Sequence, residues 1–138
     1  MDKLSRQYIL QTVAHRLAAI KLPHPLRVGI DGVSASGKTV LADELATVLR
    51  NMNREVIRTG IDGFHHPPEI RHRRGSMSVE GYVEDSFDYA AVRKYVLDPL
   101  GAEGNLSYLP GIYDHASETN KRRDPISVSA DAILLFEG

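Results

Sequence analysis

Lys38 and Thr39 follow directly on Gly37, and residues 32–39 read Gly-Val-Ser-Ala-Ser-Gly-Lys-Thr. Glycine at both ends of such a run lets the backbone curl into a nest whose N–H groups converge on an anion. Gly32, Val33, Ser34, Ala35, Ser36, Gly37, Lys38 and Thr39 are therefore the expected cradle for the phosphates of a nucleoside triphosphate. In that arrangement Lys38 reaches the outer phosphates, as a binding and a catalytic residue, and the Thr39 hydroxyl ligates Mg²⁺. This ion keeps several of its waters and takes few protein oxygens.

The motif has this meaning only between a strand and a helix. Leu26, Val28 and Ile30 precede it in a strand expected over 26–31. Val40, Leu41, Leu45, Val48 and Leu49 follow it in a helix expected over 38–52, whose first turn adds the positive end of its dipole. A second strand is expected over 55–60. Both strands are short and rich in Val and Ile without clean alternation, which predicts parallel strands covered on both faces. A helix of about 13 residues rises about 20 Å and a strand of about six returns about 20 Å, so the second strand ends level with the phosphate loop. Asp62 is the residue found there, in Ile61-Asp62-Gly63-Phe64-His65. A carboxylate beside a γ-phosphate can take the proton of an attacking hydroxyl or hold a metal-bound water. A turn cap before Gly63 is the plainer alternative.

Residues 1–22 predict an N-terminal packing helix with Ile9, Leu10, Val13, Leu17 and Ile20 as its apolar face, closed by Pro23 and Pro25. From His66 to Asp88 the periodic pattern breaks at Pro67, Pro68, Gly75 and Gly81. There Arg71-His72-Arg73-Arg74 is either an acceptor-binding loop or a solvated surface. His65 and His66 lack a third metal ligand at a recognisable spacing. Asp88 opens a helix through Ala91, Val92, Tyr95, Val96 and Leu97, closed by Pro99 and Gly101. Segments 105–109 and 126–128 predict the strands of a projecting hairpin. Tyr113 and His115 near its tip can stack on or hydrogen-bond a planar acceptor, or serve as ordinary turn residues. Ala-Asp-Ala-Ile-Leu-Leu-Phe-Glu-Gly over 130–138 is a buried strand ending in the Glu137 carboxylate. Asp31, Asp62 and Glu137 are then expected at one edge of a parallel sheet, where ligands of open α/β folds bind, with Glu137 ordering the Mg²⁺ shell. The absence of an Asp-Glu pair there favours transfer to a bound hydroxyl over transfer to water.

The chain has 138 residues, the size of one domain. Seventeen basic and 18 acidic residues leave a net charge of −1. No general field draws it to nucleic acid or an anionic membrane, so the expected partner is a small molecule. With no cysteine, disulfide and thiolate chemistry are excluded, as suits a reducing compartment. No apolar stretch approaches the ~20 residues of a membrane span. A cytoplasmic protein is expected.

Asp31-Gly32 with the phosphate loop, Asp62-Gly63-Phe64, Asp85-Ser86-Phe87-Asp88, Tyr113-Asp114 and the Phe136-Glu137-Gly138 ending together resemble the uridine kinase group of P-loop kinases, which includes phosphoribulokinase and a pantothenate kinase branch. The resemblance covers 26–138. It implies an α/β P-loop NTPase fold, a three-layer α/β/α arrangement on a parallel sheet of order 2-3-1-4-5, here truncated after the third core strand, so that 1–138 is one partial kinase domain. Segments 63–88 and 105–128 would be insertions at the acceptor. The implied donor is ATP or GTP with Mg²⁺. The implied acceptor is a small hydroxylated molecule, in first place a nucleoside, in second pantothenate or a sugar. By position, Asp62 would be the base and a metal-side group, Thr39 and Glu137 metal ligands, and Phe64, His65, Tyr82, Tyr113 and His115 acceptor contacts. Three departures bear on the acceptor. Tyr82, with Glu80 and Glu84 near it, stands where uridine kinases carry an Asp that grips the ribose. His115 follows Tyr113-Asp114 without the usual spacer. Asp62-Gly63-Phe64 has the pantothenate kinase form. The resembled kinases also continue into an arginine-bearing lid and two further strands. A chain ending at Gly138 is expected to turn over weakly or not at all, to leave an open sheet edge beside strand one that permits self-association, and to be read alternatively as a non-catalytic nucleotide-binding module.

Overall fold

Ile133, Leu134 and Leu135 have no exposed surface, and the strand that carries them organises the first half of the structure. The computed structural model describes residues 3–33, 37–114, 117–120 and 124–138. Two compact units make up the chain, Met1–Arg58 with Val128–Gly138 and Thr59–Ser127.

In the first unit, β7 (Ile133–Glu137) lies between β1 (Leu26–Ile30) and β2 (Val56–Gly60), giving the order β1-β7-β2. β1 and β7 are parallel, with Leu26 opposite Ile133 and Ile30 opposite Glu137. This is the 2-3-1 portion of the expected order, with β7 as its third core strand. Helices α1 (Lys3–Ala19) and α2 (Lys38–Asn51) cover one face of the sheet. Their Leu10, Ala14, Ala42, Leu45, Ala46 and Leu49 pack on Ile30, Ile133 and Leu135. Arg54 ties the layers together, donating from Nη1 to the Ala18 carbonyl at 2.9 Å and from Nη2 to the Asp131 carbonyl at 2.7 Å. Its first contact satisfies a carbonyl that the last turn of α1 leaves without an internal partner.

Two expectations for this unit need correction. The inner face of α1 is Leu10 and Ala14, whereas Ile9, Val13 and Ile20 are exposed. Small alanines at the helix contact allow close approach, and a reading weighted to large apolar residues passes over them. Covered faces on both sides describe β7 but not β1, where Arg27 and Gly29 alternate outward with Leu26 and Val28 turned toward the core.

The second unit is assembled from short pieces. A 3₁₀ turn, Ile61–Phe64, is followed by α3 (Pro68–Arg71), α4 (Val79–Asp85) and α5 (Tyr89–Val92), which runs on into a π-helical turn, Arg93–Leu97. The expected hairpin is present as β3 (Ser107–Tyr108) antiparallel to β6 (Ile126–Ser127), and β4 (Tyr113–Asp114) pairs with β5 (Thr119–Asn120) inside it. Phe64, Val92, Val96, Leu100, Tyr108 and Tyr113 are its larger buried apolar side chains.

The irregular run expected over 66–88 contains α3 and α4. Ser78 caps α4, its Oγ accepting from the Gly81 amide at 3.0 Å. The basic cluster is paired internally. Arg73 Nη2 donates to Asp85 Oδ1 at 2.5 Å, Arg74 meets Asp85 and Glu84 at 3.1 Å, and Arg71 meets Glu118 at 2.8 Å. Asp85 has no exposed side-chain surface. A carboxylate removed from water needs such cationic partners, and the Arg73 hydrogen bond holds its carboxyl below the ordinary range. Among the described residues no helix is long and apolar enough to cross a membrane.

Candidate active site

Gly37 introduces α2 with φ of 91°, a left-handed conformation suited to glycine. Its carbonyl accepts from the Leu41 amide at 3.0 Å, so the helix starts immediately behind the turn. At the other end of the phosphate loop, the Gly32 amide donates to Asp31 Oδ1 at 2.8 Å. Ser34, Ala35 and Ser36 lie outside the described residues.

The strand pairing carries the end of β7 to the same place, and the Gly138 amide donates to the Ile30 carbonyl at 2.9 Å. Three side chains then lock loop, helix and strand together. Lys38 Nζ donates to the carbonyls of Gly32 at 2.9 Å and Gly138 at 2.7 Å. Thr39 Oγ1 donates to Glu137 Oε1 at 2.6 Å. Arg58, on β2, donates from Nη2 to Glu137 Oε2 at 2.7 Å and pairs through Nη1 with Asp43 on α2. Burial works against the Arg58 charge, but its bonds to Asp43 and Glu137 more than offset this and raise its pKa above the ordinary value.

The donor set fits a Mg²⁺ ion shared with a polyphosphate. Among the described residues no group of three or more His, Cys, Asp or Glu could enclose a metal by itself. Thr39 and Glu137 supply one hydroxyl and one carboxylate, the sparse oxygen set of an ion that keeps its waters and binds phosphate oxygens.

Gly32, Lys38, Thr39 and Glu137 are thus brought together in the first unit, while Asp62, Phe64, His65, Tyr82 and Tyr113 belong to the second. The Asp62 side chain is 94% exposed, with His65 Nε2 at 3.6 Å. The turn beneath it is fixed on two sides. The Ile112 amide donates to the Gly63 carbonyl at 2.9 Å, and Thr59 Oγ1 donates to the Pro110 carbonyl at 2.7 Å. Beyond Gly63, the His66 amide donates to Ser86 O at 2.8 Å and the Asp88 amide to Phe64 O at 2.7 Å. A Cβ on Gly63 would stand 2.9 Å from the Pro110 carbonyl oxygen. Asp62 is therefore an exposed carboxylate on a turn that its backbone contacts hold still.

Phe64, expected at the acceptor, has no exposed surface and is a core residue of this unit. His65 is largely buried, its ring 4.6 Å from that of Phe87. Tyr82 is exposed on α4. Tyr113 is buried, and its hydroxyl donates to Glu118 Oε2 at 2.6 Å. Burial, with the Glu118 carboxylate next, pushes its pKa up to about 12. His115 lies outside the described residues. Arg58, Asp43 and Glu118 escaped the sequence reading. For Arg58 the available signal was a cation within a strand of apolar neighbours, and for Asp43 its place one helical turn after Thr39.

No family model matches the chain. Over 121 residues, 86% of its length, it is 31% identical to a pantothenate kinase of Corynebacterium diphtheriae, of which it covers 38%. It is 32% identical over 119 residues to the pantothenate kinase of Salmonella newport, of which it covers 36%. The chain thus spans little more than a third of the length of these curated relatives. Among solved structures, a possible uridine kinase from Bacillus stearothermophilus superposes with a TM-score of 0.80 at 24% identity, over 97% of this chain and 71% of that one. The fold is that of the uridine kinase-like P-loop kinases. Within this P-loop kinase fold, the sheet of the first unit supplies the strand ends, and α2 the helix start, that bound the phosphate loop.

Proposed function

We propose that this chain is the donor-binding portion of a small-molecule kinase that transfers the γ-phosphoryl group of ATP to a hydroxyl. One observation carries the reading. Lys38 and Thr39 open α2 at the carboxyl ends of two parallel strands, with Thr39 Oγ1 at 2.6 Å from Glu137 Oε1. In this reading the loop amides and the α2 N-terminus bind the phosphates, Lys38 exchanges its carbonyl partners for β- and γ-phosphate oxygens, and Thr39 and Glu137 hold the cation. Bound Mg²⁺ neutralises charge on the transferring group. Asp62 accepts the acceptor's hydroxyl proton as the oxygen bonds to phosphorus and ADP leaves. Its exposed carboxylate on a fixed turn supports this role, since a base has to reach substrate without first reorganising.

Two acceptors are put forward. The names of the sequence relatives favour pantothenate, and that of the structural neighbour favours a pyrimidine nucleoside. The experiment is acceptor-dependent ADP release with Mg·ATP over a panel of pantothenate, uridine, cytidine and simple sugars, alongside calorimetric titration of ATP. Expected is ADP release above the acceptor-free rate with one member of the panel. No heat on ATP titration and no acceptor-dependent ADP would end the proposal.

A further inference from the structure

We propose that Arg58 is a positioning residue for the metal end of the site: by gripping one oxygen of Glu137 it keeps the other on Thr39, and so makes nucleotide binding responsive to Mg²⁺. The inference rests on the phosphoryl-transfer reading above and assigns a role to a residue outside the phosphate-loop motif.

Arg58 and Glu137 are both about four-fifths buried at their contact, with side-chain exposures of 20% and 22%. Their pairing is therefore sheltered from the screening that makes surface ion pairs weak. The guanidinium spans two elements. One nitrogen holds Glu137 Oε2 at 2.7 Å at the end of β7, and the other holds Asp43 on α2. Asp43 follows Thr39 by four residues and so shares its side of the helix. The rigid planar fork of Arg thereby fixes the end of β7 against the first turns of α2. The Thr39 to Glu137 bond at 2.6 Å is the second tie across the same gap. With both ties in place a single carboxylate orientation remains, Oε1 toward Thr39. Without Arg58, Glu137 regains rotation about its terminal torsion, which is broad and two-fold, and the cation then meets a mobile ligand.

Two effects of removing Arg58 have opposite signs, which makes the role testable. Loss of orientation weakens the contribution of Mg²⁺ to ATP binding. Loss of a positive charge beside Glu137 would by itself strengthen attraction of a dication. Calorimetry on the full chain with ATP in EDTA and with ATP plus Mg²⁺ separates them. For Arg58→Met the expected result is metal-free ATP affinity near that of the wild type and a Mg²⁺ enhancement lowered about tenfold, the loss of one charge-assisted hydrogen bond. Arg58→Lys, which restores the charge without the fork, should recover only part of the enhancement. An enhancement equal to or above the wild-type value in Arg58→Met overturns the proposal. So does an equal loss with and without metal, which a purely structural strut would give. A wild-type chain that binds ATP under neither condition would instead overturn the phosphoryl-transfer reading itself. Should Arg58→Met melt below the titration temperature, Asp43→Asn carries the test from a more exposed position. It should lower the enhancement about threefold, within the range of one partly exposed ion pair, and an undiminished enhancement there also overturns the proposal.

Discussion

In the first unit side chains hold the candidate site together, whereas in the second the backbone does most of the holding and leaves the carboxylate exposed. Lys38, Thr39 and Arg58 reach across to Gly138 and Glu137, residues from the far end of the chain. Around Asp62 the ties are mostly main-chain contacts at Gly63, Phe64 and His66, with one side-chain bond from Thr59 to Pro110, and the carboxylate itself faces solvent. A region cross-linked by side chains is vulnerable to truncation of polar groups. One made by backbone contact is vulnerable to added volume.

Four outcomes would sharpen or break that contrast. The largest belongs to Asp62→Asn, which should lower acceptor-dependent phosphoryl transfer about 10²-fold or more and leave calorimetric ATP affinity intact. Equal transfer rates would remove Asp62 from the chemistry. Lys38→Ala should weaken ATP about 10- to 100-fold, the worth of charge-assisted hydrogen bonds to phosphate. Undiminished affinity would mean that the first unit does not depend on its side chains. Gly63→Ala places a Cβ 2.9 Å from the Pro110 carbonyl and should cost about 1–3 kcal/mol in denaturant unfolding, as overpacking does. A neutral substitution would show that the backbone clasp yields. The smallest effect concerns pH. Asp85 is held below the ordinary carboxyl value by Arg73. Its contribution is therefore complete above the unfolded value of about 3.9 and is lost as pH falls through the lower folded value. Asp85→Asn should flatten the acid side of the unfolding-midpoint profile, and a slope like that of the wild type would deny Asp85 this part.

The same contrast explains what was legible in the sequence. The phosphate loop depends on local spacing, and its flanking strand and helix are contiguous, so β1, α2 and the places of Lys38 and Thr39 at the helix start could be read directly. The place of Glu137 was legible because it closes a short apolar run of strand length. Arg58 was not, because its partners Asp43 and Glu137 are set by sheet order and strand length, which no local pattern encodes. Nor were the partners of Arg71, Arg73 and Arg74. A basic cluster looks like a ligand surface until the fold supplies Glu118, Glu84 and Asp85. Phe64 was assigned to the acceptor through the Asp62-Gly63-Phe64 element, but the turn sends the side chains on either side of Gly63 in different directions, Asp62 into solvent and Phe64 into the core.

Where two ordinary side chains touch, enlargement of one can be matched by trimming the other. Gly63 and Gly111 meet by backbone alone, and neither has anything to trim. A library of paired substitutions at these positions should return no mutual rescue. Any shift of the Tyr113 loop must be passed directly to the turn that bears Asp62, so the two segments, distant along the chain, can adapt only in concert.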